Sequence, residues 1–116
     1  AGGAPAFVDA WTGHREVFGS DNYYLTVDYG SNPNGVLAPQ TGSLRFSGSI
    51  VTDRGEFPIY GVRVKEGRTV SLKFQSPAGD FVASHNTATC PSKLTLRPTK
   101  STAGFPTETL QSGRCL

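Results

Sequence analysis

Apolar and polar residues alternate one for one along much of this 116-residue chain. Leu44, Phe46, Gly48 and Ile50 fall in one phase, and Arg45, Ser47, Ser49 and Val51 in the other. Val70, Leu72 and Phe74 alternate with Ser71 and Lys73, Leu25 and Val27 with Thr26 and Asp28, and Leu94 and Leu96 with Thr95 and Arg97. A period of two sends successive side chains to opposite faces, so each run predicts an antiparallel strand with one dry and one wet face. No window sustains the i, i+3, i+4, i+7 spacing of an amphipathic helix. About seven to nine strands are expected by these signals: Phe7–Trp11, Arg15–Phe18, Tyr23–Asp28, Ser43–Thr52, Phe57–Lys65, Thr69–Gln75, Asp80–Ser84, Lys93–Arg97 and one near Leu110.

One segment breaks phase. Phe57 and Ile59 share one parity, Val62 and Val64 the other, with Tyr60-Gly61 between them. An extra residue inverts the facing pattern, so the slip predicts a β-bulge or sharp bend at Gly61, with Val62 and Val64 inward and Arg63 and Lys65 outward. Pro58 has no amide to donate, which places the start of this strand at an edge or ahead of regular pairing. Asp53-Arg54-Gly55-Glu56, Lys65-Glu66-Gly67-Arg68 and Ser76-Pro77-Ala78-Gly79-Asp80 carry the residue types of short hairpin turns, and Gly30 to Gly35 reads as a loop. Short loops join strands that neighbour in space, so the order is a meander. A meander this long must close or fold over to bury its apolar face. The expected fold is therefore one all-β domain over residues 1–116, a small antiparallel barrel first and a two-sheet sandwich second. Trp11-Thr12-Gly13 ahead of such a meander is similar to the tryptophan-bearing first strand of small secreted up-and-down barrels such as avidins and lipocalins. That resemblance implies closure; it covers a handful of residues, and no ligand residue is carried over.

Composition adds the compartment. The chain has 14 Gly and 8 Pro spread between apolar runs, 36% hydrophobic and 17% charged residues. That suits many strands and turns, not disorder. Cys90 and Cys115 are the two cysteines, and without metal-type spacing they read as a disulfide of an oxidising compartment, secreted or periplasmic. Closing a loop of about 25 residues would contribute about 3 to 4 kcal/mol. Ala1-Gly2-Gly3-Ala4-Pro5 resembles a start left by signal-peptidase cleavage. No stretch reaches the roughly 20 apolar residues of a membrane helix, and a net charge of +2 is too weak to point to nucleic acid.

Candidate chemistry is sparse. His14 and His85 are the histidines, and no zinc motif, G-x-S-x-G or nucleotide-binding glycine pattern occurs, so no cofactor or metal is expected. His85 reads as part of a polar loop before Cys90. If His14 and His85 met they would suit acid–base work such as a nuclease needs. The carboxylates Asp9, Glu16, Asp28, Asp53, Glu56 and Asp80 are scattered, mostly in turns, where a glycan-cleaving enzyme needs two facing each other across a cleft. The basic residues Arg63, Lys65, Arg68 and Lys73, with Arg45 on an earlier strand, form an outward strip that favours an anionic partner. Trp11, Tyr24, Tyr29 and Tyr60 are candidate platforms for a sugar ring or a protein contact, and one of Tyr23 and Tyr24 must face outward. Val36 and Leu37, between Pro33 and Pro39, form an apolar loop tip suited to a partner's cleft at low entropic cost. The expected function is a secreted, non-enzymatic binding protein for a glycan or another protein. The alternatives are an inhibitor of a hydrolase using the Val36-Leu37 loop, a small hydrolase using His14 and His85 or paired carboxylates, and a structural subunit of a surface assembly.

Overall fold

The computed structural model describes residues 15–28 and 42–112. Phe7–Trp11, the Gly30–Pro39 loop and Cys115 lie outside the described residues. Eight strands follow in order: β1 (Arg15–Gly19), β2 (Tyr24–Asp28), β3 (Gly42–Thr52), β4 (Gly55–Glu66), β5 (Thr69–Ser76), β6 (Gly79–Asn86), β7 (Lys93–Pro98) and β8 (Glu108–Gln111). Each pairs antiparallel with the next and β8 meets β1, so one sheet closes on itself as a barrel. A sandwich would have split these strands between two sheets.

Turn chemistry sets the register. Thr52 Oγ1 accepts from the Arg54 amide at 3.0 Å and donates to the Gly55 carbonyl at 3.1 Å. Ser76 Oγ repeats the device, accepting from the Ala78 amide at 3.1 Å and donating to the Gly79 carbonyl at 2.8 Å. A hydroxyl that bonds its own turn holds a two-residue connection without help from the core. Gly67 has φ +61° in the β4–β5 turn, a left-handed conformation that glycine enters without steric cost. With three such turns in a row, β3 to β6 pair in long ladders, Gly42↔Lys65 to Thr52↔Gly55 in the first and Thr69↔Asn86 to Ser76↔Gly79 in the last.

The register corrects the expected phase of β4. Pairing with β3 runs unbroken through Gly61, so there is no bulge. Phe57, Ile59, Gly61, Arg63 and Lys65 share the inner face, and Val62 and Val64 lie on the outer wall. Gly61 serves a different purpose. A Cβ there would strike the Lys73 carbonyl and lie 2.6 Å from the Phe74 Cβ, so the missing side chain lets β5 cross close to β4. Gly48 does the same for β2, where a Cβ would run into the Thr26 carbonyl. Pro58 sits in the stretch of β4 that pairs with β3 before the β5 ladder begins at Tyr60, as its missing amide requires.

The two ends of the barrel are filled differently. Phe74 and Phe81 stack at 5.7 Å between ring centres at one end, and Phe105 and Tyr23 meet Phe81 edge-on at 5.3 and 6.5 Å. The segment from β7 to β8 folds over this end. Its 3-10 turn, Lys100–Thr102, is tied to β6 by the Thr99 and Thr102 hydroxyls, both donating to the Asp80 carbonyl. Tyr23 donates to the Pro106 carbonyl at 2.6 Å, and burial pushes its phenol up to about 12, assisted by Glu108. Arg54 lies 4.2 Å above the Phe105 ring and donates to the Gly104 carbonyl at 3.0 Å. At the other end, β1 and β3 begin, β2 ends, and the β4–β5 turn and the β6–β7 connection lie.

Candidate functional site

The outer wall carries an ordered row of side chains. Arg45 opposes Val62, Val62 opposes Lys73, Lys73 opposes Val82, and Val82 opposes Arg97. Odd and even positions alternate between faces, so all five point outward at one level across β3 to β7. Neighbouring strands stand about 4.8 Å apart, which sets successive cations about 10 Å from each other. None of the three forms an ion pair among the described residues. The adjacent outward row on β5, β6, β7 and β8 is Ser71, Ser84, Thr95 and Thr109, each opposite the next. Between the two rows lies a shallow groove of about 260 Å³, bordered by Lys73 and Arg97, floored by Val82 and edged by Ser71, Ser84 and Thr95. On the other side of the basic row, Tyr60 projects from β4 between Ser47 and Gln75 with 60% of its surface exposed.

Two cations, an apolar floor and three hydroxyls along one groove can hold a negatively charged, hydroxyl-rich chain. The cations attract its acidic groups, the hydroxyls exchange hydrogen bonds with it, and valine and tyrosine offer flat apolar contact. The carboxylates on this wall stand near strand ends, at Glu56, Glu66 and Asp80, clear of the hydroxyl row.

The inner face has its own polar group. Glu16, Arg63 and His85 are 4, 5 and 6% exposed, buried inside the barrel at the end opposite the stacked rings. His85 belongs to β6, opposite Val70, and its ring centre lies 6.0 Å from that of Phe18. The expected polar loop is thus a strand, and the histidine is internal because β6 runs on to Asn86. Burial lowers the His85 pKa; Glu16 opposes that shift, while Arg63 and Lys65 add to it.

The expected basic strip is therefore split. Lys73 and Arg45 are on the outer wall, Arg68 is exposed in the β4–β5 turn, Lys65 is half-buried at the inner rim and Arg63 is internal. Of the aromatic candidates, Tyr60 faces outward beside the basic row, and Tyr24 is 51% exposed while Tyr23 is core. Tyr24 borders a separate pocket of about 290 Å³ that also holds Asp21, Asn22 and Asp53, a setting that repels anions. Trp11, Tyr29, Val36, Leu37 and His14 lie outside the described residues. Among the described residues the carboxylates do not gather: Glu16 is internal, Asp28 accepts from Arg15 at 2.7 Å on the outer face, and Asp53, Glu56 and Asp80 lie at or near turns, while Asp9 lies outside the described residues. Among the described residues no three His, Cys, Asp or Glu side chains are grouped to hold a metal.

Arg97 and the hydroxyls of Ser71, Ser84 and Thr95 are site residues that alternation alone did not single out. Part of their signal was the turns: a two-residue hairpin fixes which residues oppose each other, and three in succession align Arg45, Val62, Lys73 and Val82, whereas Arg97 joins the row across the longer β6–β7 connection. Comparison with known protein families, with characterised proteins and with solved structures finds no match. None of these comparisons supports the resemblance to avidins and lipocalins, and Trp11-Thr12-Gly13, which carried it, lies outside the described residues, so function is argued from the site.

Proposed function

We propose that this is a secreted binding protein whose outer wall, from β3 to β7, takes an acidic polysaccharide. The observation that carries the reading is the row Arg45–Val62–Lys73–Val82–Arg97 beside the hydroxyl-edged groove. A linear polymer with regularly spaced carboxylates or sulfates lies across the strands, its acidic groups over the cations and its hydroxyls along Ser71, Ser84 and Thr95. Tyr60 adds a ring face for one sugar. A net charge of +2 favours this over nucleic acid, whose dense phosphates call for more cations than one row supplies.

An oxidising compartment and a Cys90–Cys115 bridge belong to the same proposal. What supports the bridge is the exit of β8: the Ser112 amide donates to the Ser92 carbonyl at 2.9 Å. The chain at residue 112 is thereby held two residues past Cys90, and three further residues span up to about 10 Å, enough for Cys115 to reach it.

The test is titration with polygalacturonate and with neutral dextran at low and moderate salt. Polygalacturonate binds saturably and more weakly as salt rises, and dextran does not bind. Reversing two charges together, Lys73→Glu with Arg97→Glu, lowers the polygalacturonate affinity roughly tenfold or more. Equal binding of the two polymers, or full affinity in the charge-reversed protein, overturns the proposal.

A further inference from the structure

The outer-wall reading leaves the polar end of the barrel interior without a role. A barrel of eight strands is just wide enough to be filled by side chains or to hold one small ligand. Its aromatic end is filled by rings. At the other end, positions that aliphatic side chains would fill hold Glu16, Arg63 and His85, although burying ionised groups costs several kcal/mol each. His85 is the sharpest case. It is 6% exposed, and its Nδ1 has no hydrogen-bond partner among the described residues. A buried polar atom left in that state calls for an explanation such as a missing ligand.

We propose that this end of the interior is a second binding site, for a small organic acid. Its carboxylate accepts a hydrogen bond from His85 Nδ1–H near Arg63 and Lys65, and its hydrocarbon part lies toward Phe18 and Val70. Charge selects the anion. Among the described residues, Arg63 and Lys65 from β4 outnumber the one carboxylate facing this end, Glu16 from β1, while β2, β5 and β7 face it with Val27, Val70 and Leu94. The apolar residues on those strands set the other half of the ligand, a compact hydrocarbon group.

The test is a titration of histidine-labelled protein with benzoate at constant ionic strength, chloride being the control, and with the imidazole resonances followed by NMR. His85→Phe identifies the His85 signal by its loss. Benzoate moves that signal saturably and chloride does not. The bound anion raises the His85 titration midpoint by roughly one unit, because an adjacent negative charge favours the imidazolium. The Lys73→Glu/Arg97→Glu protein keeps this response, which separates the interior site from the outer wall. A His85 signal that ignores benzoate, or that follows chloride equally, overturns the proposal. So does unchanged benzoate affinity in a folded Arg63→Met protein.

Discussion

The two ends of this barrel are built on the same alternation and use it to opposite effect. At one end the inward positions are Phe74, Phe81 and Tyr23, joined by Phe105 from the covering segment. At the other they include Glu16, Arg63 and His85. Rings gain from stacking and from leaving water, so the aromatic end stabilises the fold. Ionisable groups at the same depth lose hydration and stabilise little even when paired. The difference separates the part of the interior that holds the barrel together from the part available for chemistry.

The largest effect is expected where the rings meet. Phe81 touches three other aromatic side chains, and Phe81→Ala leaves a cavity among them that costs about 3 to 5 kcal/mol. Urea denaturation measures it, and a loss under about 1 kcal/mol, as at an ordinary surface position, would mean that the aromatic end does not dominate stability. An intermediate effect is expected at the polar end, and it depends on pH. The folded His85 has a lowered pKa, so the unfolded chain binds more protons as pH falls below the ordinary histidine value of about 6.5. Stability is thus fully present above that value and declines with acidification toward the folded pKa. His85→Phe keeps a ring and removes the titration. Its stability should fall less between pH 7 and pH 5 (bounds taken around the histidine range of about 5 to 8), and parallel pH profiles for the two proteins would exclude His85 as the cause. The smallest effect belongs to the lid of the aromatic end. Arg54→Ala removes an exposed cation over Phe105, worth about 0.5 to 1 kcal/mol, visible as a small downward shift of the melting temperature. A shift as large as that of Phe81→Ala would mean that the covering segment is held chiefly by Arg54.

Much of the barrel was legible because its signals are local. Val70, Leu72 and Phe74 point inward as their spacing implies, and the turns at Asp53-Arg54, Gly67-Arg68 and Pro77-Ala78 lie between strands as their residues imply. The candidate site was legible in part. Lys73 and Arg45 stand on the outer wall as expected, with the candidate platform Tyr60 beside them, whereas Arg63 is internal. Valine looks like core and arginine like surface, so Val62 and Val64 suggested the wrong phase. Hydrogen bonding from β3 and β5 on either side left β4 no freedom to shift by one residue.

By itself the sequence determined strand content, turn positions and meander order, because a two-residue period and turn-forming side chains act over a few neighbouring residues. Tertiary structure alone decided closure of the sheet, the inward face of Arg63 and His85, and the placing of Arg97 in line with Arg45 and Lys73. Those depend on register between segments far apart in the chain, which is set by the whole ladder and by the close strand approaches that Gly48 and Gly61 permit.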